Sequence, residues 1–324
     1  MGSRPFGEYP NQILTGMEKI VSVVQASMRT LEPSLERLTR AMLVANERLL
    51  AIDWDKLGAI IREFAEFAYN INAYEEAFAL MLFDLGWPPP LDICLEDAQR
   101  IVELYLQDGV KCRPAVDDYI CSLYTEGVLF AKFEDWRRNP ILASRIHILE
   151  AVLEAHLEGK YFLSVPALLP QIEGLIVDAY GHTGWLAGGR LEKYINSIDN
   201  VEERERVARK ELSINDVFKQ IMIDLVLDNF CHGEPVNSPL SRHAILHGGD
   251  TKYGTGTNSL KTILLFDYFQ DALAFIVIEG RKTYHKPQCH VLRRTNSAKT
   301  AFKEERLLIA QGLQPCCICL SQVT

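Results

Sequence analysis

Apolar residues return every three to four positions from Ile13 to Val24, from Leu35 to Leu50 and from Leu57 to Leu85, and alternating β-branched runs are few before Tyr284. A stripe with that period is buried on one side only when the backbone is helical, so the body of the chain is expected to be all-α. The pattern stops at Gly86-Trp87-Pro88-Pro89-Pro90, where consecutive prolines lack amide donors and push the preceding residue out of helical geometry. A rigid elbow is expected there. Further helices fit Glu96 to Gln107, Ala115 to Glu134 and Pro140 to Leu157, the last opened by Asn139 as cap and Pro140 at the first position, and ended by Gly159. From Tyr161 to Tyr180 the stripe runs through Pro166 and Pro170, which must lie in the first turns or kink the helix. Asn200 to Glu211 is charged and reads as a solvated helix face or connection. Apolar helices then fit Val217 to Phe230 and Leu260 to Ile278, with a short helix between them from Pro239 to His247.

A chain of 324 residues can hold one large or two ordinary domains with a small module besides. We expect a mainly α protein in three parts: a helical N-terminal region over residues 1–138, a helical bundle over 139–279, and a compact α+β module over 280–324. Net charge is −9 over the whole chain, which argues against coating a membrane or nucleic acid with the entire surface. The average hides an asymmetry. From Arg281 onward eight basic residues face two acids, a balance of +6, which leaves 26 basic and 41 acidic residues, or −15, before it. Contact with a polyanion should therefore be local. No stretch approaches eighteen uninterrupted apolar residues and the opening MGSRPFGEYPNQ has no apolar signal core, so a cytoplasmic protein without a membrane partner is expected. Of eight cysteines, Cys94, Cys112, Cys121 and Cys231 sit in apolar helical patterns and are expected as buried thiols rather than as a disulfide framework.

The remaining cysteines carry the clearest signal. His285 and Cys289 form H-x3-C, and after 26 intervening residues Cys316 and Cys319 form C-x2-C. Imidazole and thiolate donors in two clustered pairs suit tetrahedral Zn2+ in a closed structural site. A segment of about 45 residues buries little apolar surface, so metal ligation is its natural source of folding free energy. Cys317 is a spare neighbour in this spacing, and His290 fits it less well than His285. The run YHKPQCHVLRR followed by AFKEERLLIAQGLQPCCIC resembles the Ada-type zinc-binding module. In that family a strand-borne ligand pair precedes a short helix, and an Ala-x-x-x-Gly-x-x-Pro-Cys-x-x-Cys ending supplies the second pair; Gly312, Pro315, Cys316 and Cys319 match it, with Ala310 near the alanine. The DNA-repair version uses a methyl-accepting cysteine, whereas His285 in the first pair is closer to structural or nucleic-acid-docking variants. The resemblance implies a module that helps dock RNA or a partner.

The second informative segment runs from Asn237 to Asp250, NSPLSRHAILHGGD. Asn237 or Ser238 can cap a helix that Pro239 starts, and Gly248 can take the left-handed conformation that ends it. Arginine offers a permanently charged planar fork for phosphate, and histidine exchanges a proton near neutral pH. Together they suffice for RNA cleavage without a metal, one deprotonating the ribose 2′-hydroxyl and the other stabilising charge on phosphorus. Arg242 and His247, separated by four residues of which the first is polar His243, resemble the R-x4-6-H signature of the HEPN superfamily of helical ribonucleases, over roughly Tyr161 to Ile278. The resemblance implies a helical bundle that pairs as a homodimer so that both motifs line one RNA groove, in a microbial toxin or antiviral-defence setting with a protein partner or antitoxin. Arg242 would then clamp phosphate, His247 act as base and then acid, and His243 and Glu173 orient them. Tyr253-Gly254-Thr255, with Asn258 beyond, would cap the final helix and border the groove.

Other readings of this segment stand beside that one. His243 and His247 could be ordinary helix residues with Arg242 in a salt bridge, leaving a catalytically silent RNA-, nucleotide- or protein-binding scaffold. His243 and His247 at i and i+4, with Asp250, could instead hold a hydrolytic zinc, although the glutamate of H-E-x-x-H is absent. Ideal helical geometry also separates Arg242 from His247 unless the helix end unwinds.

Overall fold

In the computed structural model, residues 77–90, 92–186, 189–198 and 214–320 are described. The helices expected at Ile13 to Val24 and Leu35 to Leu50, the first part of Leu57 to Leu85, and the charged stretch from Asn200 to Glu211 lie outside them. The chain divides into two compact units, Met1–Leu85 with Leu91–Pro114, and Gly86–Pro90 with Ala115–Thr324. In the first unit residues 77–84 are helical and α1 spans Leu95–Asp108, burying Ala98, Ile101, Val102 and Tyr105 at the expected three-to-four spacing. Tyr105 donates to Asp84 Oδ2 at 2.7 Å, and this contact together with burial holds the phenol protonated. The Gly-Trp-Pro-Pro-Pro segment ends the helix as expected, and Trp87 is fully buried in the second unit, donating to Asp117 Oδ1 at 2.6 Å.

The long helix expected from Ala115 to Glu134 is two helices, α2 over Arg113–Leu123 and α3 over Glu126–Arg138, broken at Tyr124-Thr125. Asn139 caps as expected, its Oδ1 accepting from Ile141 N at 3.1 Å, but what it opens is a 3-10 turn, Pro140–Leu142, before α4 at Ile146–Leu157. The core of this unit is α5, Tyr161–Ala179, packed against α4 on one side and α9, Gly256–Ala272, on the other. Among the described residues α5 is the one helix long and apolar enough to cross a membrane, and Val165, Leu168, Leu169, Ile172, Leu175 and Ile176 are buried against its neighbours. His156 of α4, Ser259 of α9 and Ser164 of α5 form a polar chain through this core, with 2.7 Å at each step.

Between α5 and α9 lie α6 (Arg190–Asn196), α7 (Ile214–Ile221), a π turn over Met222–Val226, and α8 (Arg242–Leu246). The last apolar run does not stay helical to Ile278. After α9, Phe275–Ile278 is strand β1 and joins a four-stranded sheet of order β3-β1-β2-β4, with β2 at Thr283–His285, β3 at Lys299–Phe302 and β4 at Gln314–Pro315. Helices α10 (His290–Arg293) and α11 (Glu305–Ala310) complete this region, whose small core is Phe275, Tyr284, Phe302 and Leu308. The described chain is thus mainly α with a small C-terminal sheet. Two of the four cysteines expected in the core are not there. Cys94 precedes α1 and Cys231 follows the π turn, both exposed, whereas Cys112 is buried and Cys121 half-buried.

Candidate functional site

The two pairs expected to bind metal converge because strands β2 and β4 run side by side in parallel, Thr283 opposite Gln314 and Tyr284 opposite Pro315. His285 ends β2, and Cys316 N donates to Tyr284 O at 2.9 Å immediately after β4. Between His285 and Cys289 the chain reverses through Lys286-Pro287-Gln288-Cys289. Proline stands at the second position, Gln288 has φ 65°, and Cys289 N donates to Lys286 O at 3.2 Å, the features of a type II turn. A non-glycine residue in that conformation costs energy, so something must hold the turn closed.

One ligand atom from each of His285, Cys289, Cys316 and Cys319 lies within 4.8 Å of every other, a cluster that could hold a metal ion. Ligand atoms on a zinc tetrahedron sit about 3.8 Å apart, so a small contraction suffices. Three observations fit a cation. Nδ1 of the buried His285 has no hydrogen-bond partner while Nε2 lies 3.3 Å from Thr283 Oγ1, which leaves one ring nitrogen for a metal and fixes the other. Burial, then the charge of Arg281, lowers the His285 pKa and keeps the imidazole neutral. Burial pushes the Cys319 thiol up to about 12, and Cys289 and Cys316 beside it push the same way, because adjacent thiols cannot all ionise without a compensating charge. Burial also acts upward on Cys316, but the backbone N–H groups of Ile318 and Cys319 and the neighbouring thiols bring it below its ordinary value. Cys317 and His290 are exposed and outside the cluster.

The Arg-His segment is held from both flanks. The π turn after α7 leaves carbonyls for others to claim: Ser238 donates to Leu225 O at 2.6 Å and Ser241 to Asp228 O at 3.1 Å. The cap of α8 is Ser241, whose Oγ accepts from Ala244 N at 3.2 Å, rather than Asn237 or Ser238, so Arg242 rather than Pro239 is the first helical residue. At the other end His247 is the cap residue and Gly248, with φ 75°, reverses the chain as expected. The following residues are tied to α5. Pro166 supplies no amide for the carbonyl of Phe162, and Tyr253 donates its hydroxyl to that oxygen at 3.2 Å, its ring edge-on to Phe162. Asn258 Nδ2 closes the loop onto Pro239 O and Tyr253 O, and Thr255 caps α9 by accepting from Asn258 N.

Within this frame Arg242 Nη2 lies 2.8 Å from Glu173 Oε2 on α5, an ion pair by distance without the alignment of a hydrogen bond. Arg242 Nε is buried and unpartnered. His243 and His247 stack with ring centroids 6.1 Å apart and planes 3° from parallel. Burial lowers the pKa of His243, as do the charges of Arg242 and His247, while Glu173 and Asp228 act in the opposite sense. His243 is half-buried and His247 exposed. Asp228, whose own pKa is raised by burial, is a member of this cluster that the sequence did not single out. Asp250 Oδ1 accepts from Lys252 N at 2.7 Å in a local turn, and among the described residues the one group of metal-ligand type is that of the tail. Comparison with family models, with curated proteins and with solved structures finds no match to this chain.

Proposed function

We propose that this protein is a metal-independent endoribonuclease whose C-terminal module is stapled by structural Zn2+. The observation that carries the reading is the cluster at α8, where a guanidinium anchored by Glu173 stands next to His243 and an exposed His247. In this reading His247 accepts the ribose 2′-hydroxyl proton, the 2′-oxygen bonds to phosphorus, and the bond from phosphorus to the 5′-oxygen breaks. The same histidine returns the proton to the leaving 5′-oxygen, while Arg242 stabilises the pentavalent phosphorus. Its buried, unpartnered Nε is a donor left for a ligand oxygen. We further propose that two copies pair across this face in a microbial toxin or antiviral-defence role. Exposed Leu246 on α8, with Phe162 and Leu163 at the start of α5, supplies apolar surface in support.

The test is the product end group. RNA fragments should carry 2′,3′-cyclic phosphates, and His247→Ala should reduce cleavage by about 100-fold or more without changing the thermal midpoint. Fragments with 5′-phosphates would instead mean a metal-activated water as nucleophile. The Arg242–Glu173 pair itself favours a second reading, in which a neutralised arginine clamps α8 to α5 and the bundle is a catalytically silent binding scaffold. Unchanged RNA degradation in His247→Ala would support that alternative.

A further inference from the structure

We propose that a cationic cleft between α6 and the loop after α10 binds the backbone of single-stranded nucleic acid, as a docking site separate from Arg242 and His247. The cleft has a volume of about 840 Å³, and His182, Arg190, Lys193, Arg293 and Lys299 all line it. Among the described residues no aspartate or glutamate does. Arg190, Lys193 and Arg293 are exposed, and among the described residues no carboxylate pairs with them. Arg190, Lys193 and Arg293 around one concavity repel one another, and no described carboxylate offsets them. Their placement is explained by a polyanionic ligand.

The floor beneath the cations is rigid. Tyr194 stacks on the buried Tyr180 with centroids 4.6 Å apart and planes 8° from parallel, Ser197 donates to Tyr180 Oη at 2.9 Å, and Lys299 donates to Tyr180 O at 2.9 Å. Two contacts fix the walls together. Ala301 N donates to Ser197 O at 3.3 Å, and the backbone at Gly181 comes so close to α10 that a Cβ there would lie 2.9 Å from Leu292 Cβ. At the rim, His182 Nε2 is 3.3 Å from the carbonyl oxygen of Trp185, whose side chain is 90% exposed. An indole that exposed gains nothing from the fold, and an aromatic beside a basic groove is the combination by which proteins hold unpaired strands, bases stacking while phosphates are neutralised. A phospholipid surface fits less well, because a chain with a net charge of −9 is repelled by an extended anionic plane.

The site does not require that the α8 cluster be catalytic, and the experiment reads binding alone. The full chain is titrated with fluorescent single strands of roughly 12 nucleotides, in DNA and in 2′-O-methyl RNA, which cannot be cut by 2′-oxygen attack. Affinity should fall with salt on a double-logarithmic slope of about −2, the value for three phosphates neutralised on a single strand. Arg190→Ala, Lys193→Ala and Arg293→Ala should each flatten that slope by about 0.7. Trp185→Ala should weaken binding about fivefold or more and leave the slope unchanged. All four side chains are exposed, so these variants should fold. Wild-type affinity and slope in the triple charge variant would overturn the proposal. So would tighter binding to phosphatidylserine-containing vesicles, or to ATP, than to the strands.

Discussion

His156 and His243 are both held in the neutral form, His156 by burial and His243 by burial first and then by the charges of Arg242 and His247. Their pKa values in the fold lie below the value of about 6.5 of the unfolded chain. Above that pH neither state binds the proton and the two histidines contribute no pH dependence. As pH falls from 6.5 toward the folded values, the unfolded chain takes up protons that the folded chain resists, so stability is lost in that window. Urea midpoints at about pH 7.5 and 5.5 should therefore differ more in wild type than in His156→Gln, which keeps a polar partner for Ser259 but cannot be charged. Equal differences would remove His156 from the account. Arg242 and Glu173 offer a second residue-level test, since each leaves the other partly buried and unpaired when truncated. Either alanine variant should cost about 1–3 kcal/mol, and the double variant should cost less than the two together. Additive losses in denaturant melts would mean that the ion pair contributes nothing.

At the level of elements, helix identity was legible and helix ends were less so. The three-to-four periodicity located α1 and α5 to within a residue at each end, but set the start of α4 six residues early and the end of α9 six residues late, because burying one stripe of a helix leaves a local pattern that fixes the helix better than its ends. Phe275–Ile278 was lost to the preceding helix since four consecutive apolar residues satisfy a buried strand and a buried helix alike. Ser241 capping α8, rather than Asn237 or Ser238, depends on Asp228 O standing where its hydroxyl can donate, which is tertiary information. The clustering of the four tail residues could be read directly, H-x3-C and C-x2-C being spacings that short turns convert into proximity. The cationic cleft could not, for its lining comes from residues 181–197 and 293–299, brought together by the Ser197–Ala301 hydrogen bond and the close approach of Gly181 to Leu292. That approach carries its own prediction. Gly181 has φ 62°, and a Cβ would meet the backbone of Leu292 and Arg293 at 3.0 and 3.1 Å, atoms that cannot swing aside. Gly181→Ala should destabilise the protein by about 2–4 kcal/mol, read as a lowered thermal midpoint, whereas alanine at Gly184, which meets nothing within 4 Å, should cost less.

Across the whole molecule, the metal cluster and the cleft are linked through one short stretch of chain. Cys289 caps α10, α10 ends at Arg293, and the next residues, Arg293 to Lys299, form one wall of the cleft before entering β3. The turn that brings Cys289 to His285 contains a residue with positive φ, and the core behind it is four buried side chains, so a metal bound there would add to the Gly181–Leu292 approach in holding α10 in place. The helical body has its own core in α4, α5 and α9. Zinc removal should therefore separate two properties that a single cooperative fold would lose together. The purified protein should contain one zinc per chain. Chelation should leave most of the helical far-ultraviolet dichroism in place while reducing affinity for an uncleavable single strand by tenfold or more, with recovery when Zn2+ is added back. Cys316→Ser should behave like the chelated protein even with zinc present, since serine is a poor ligand for this ion. If strand affinity survives verified loss of the metal, the cleft wall is held by contacts other than the staple, and the coupling of the two sites through α10 is wrong.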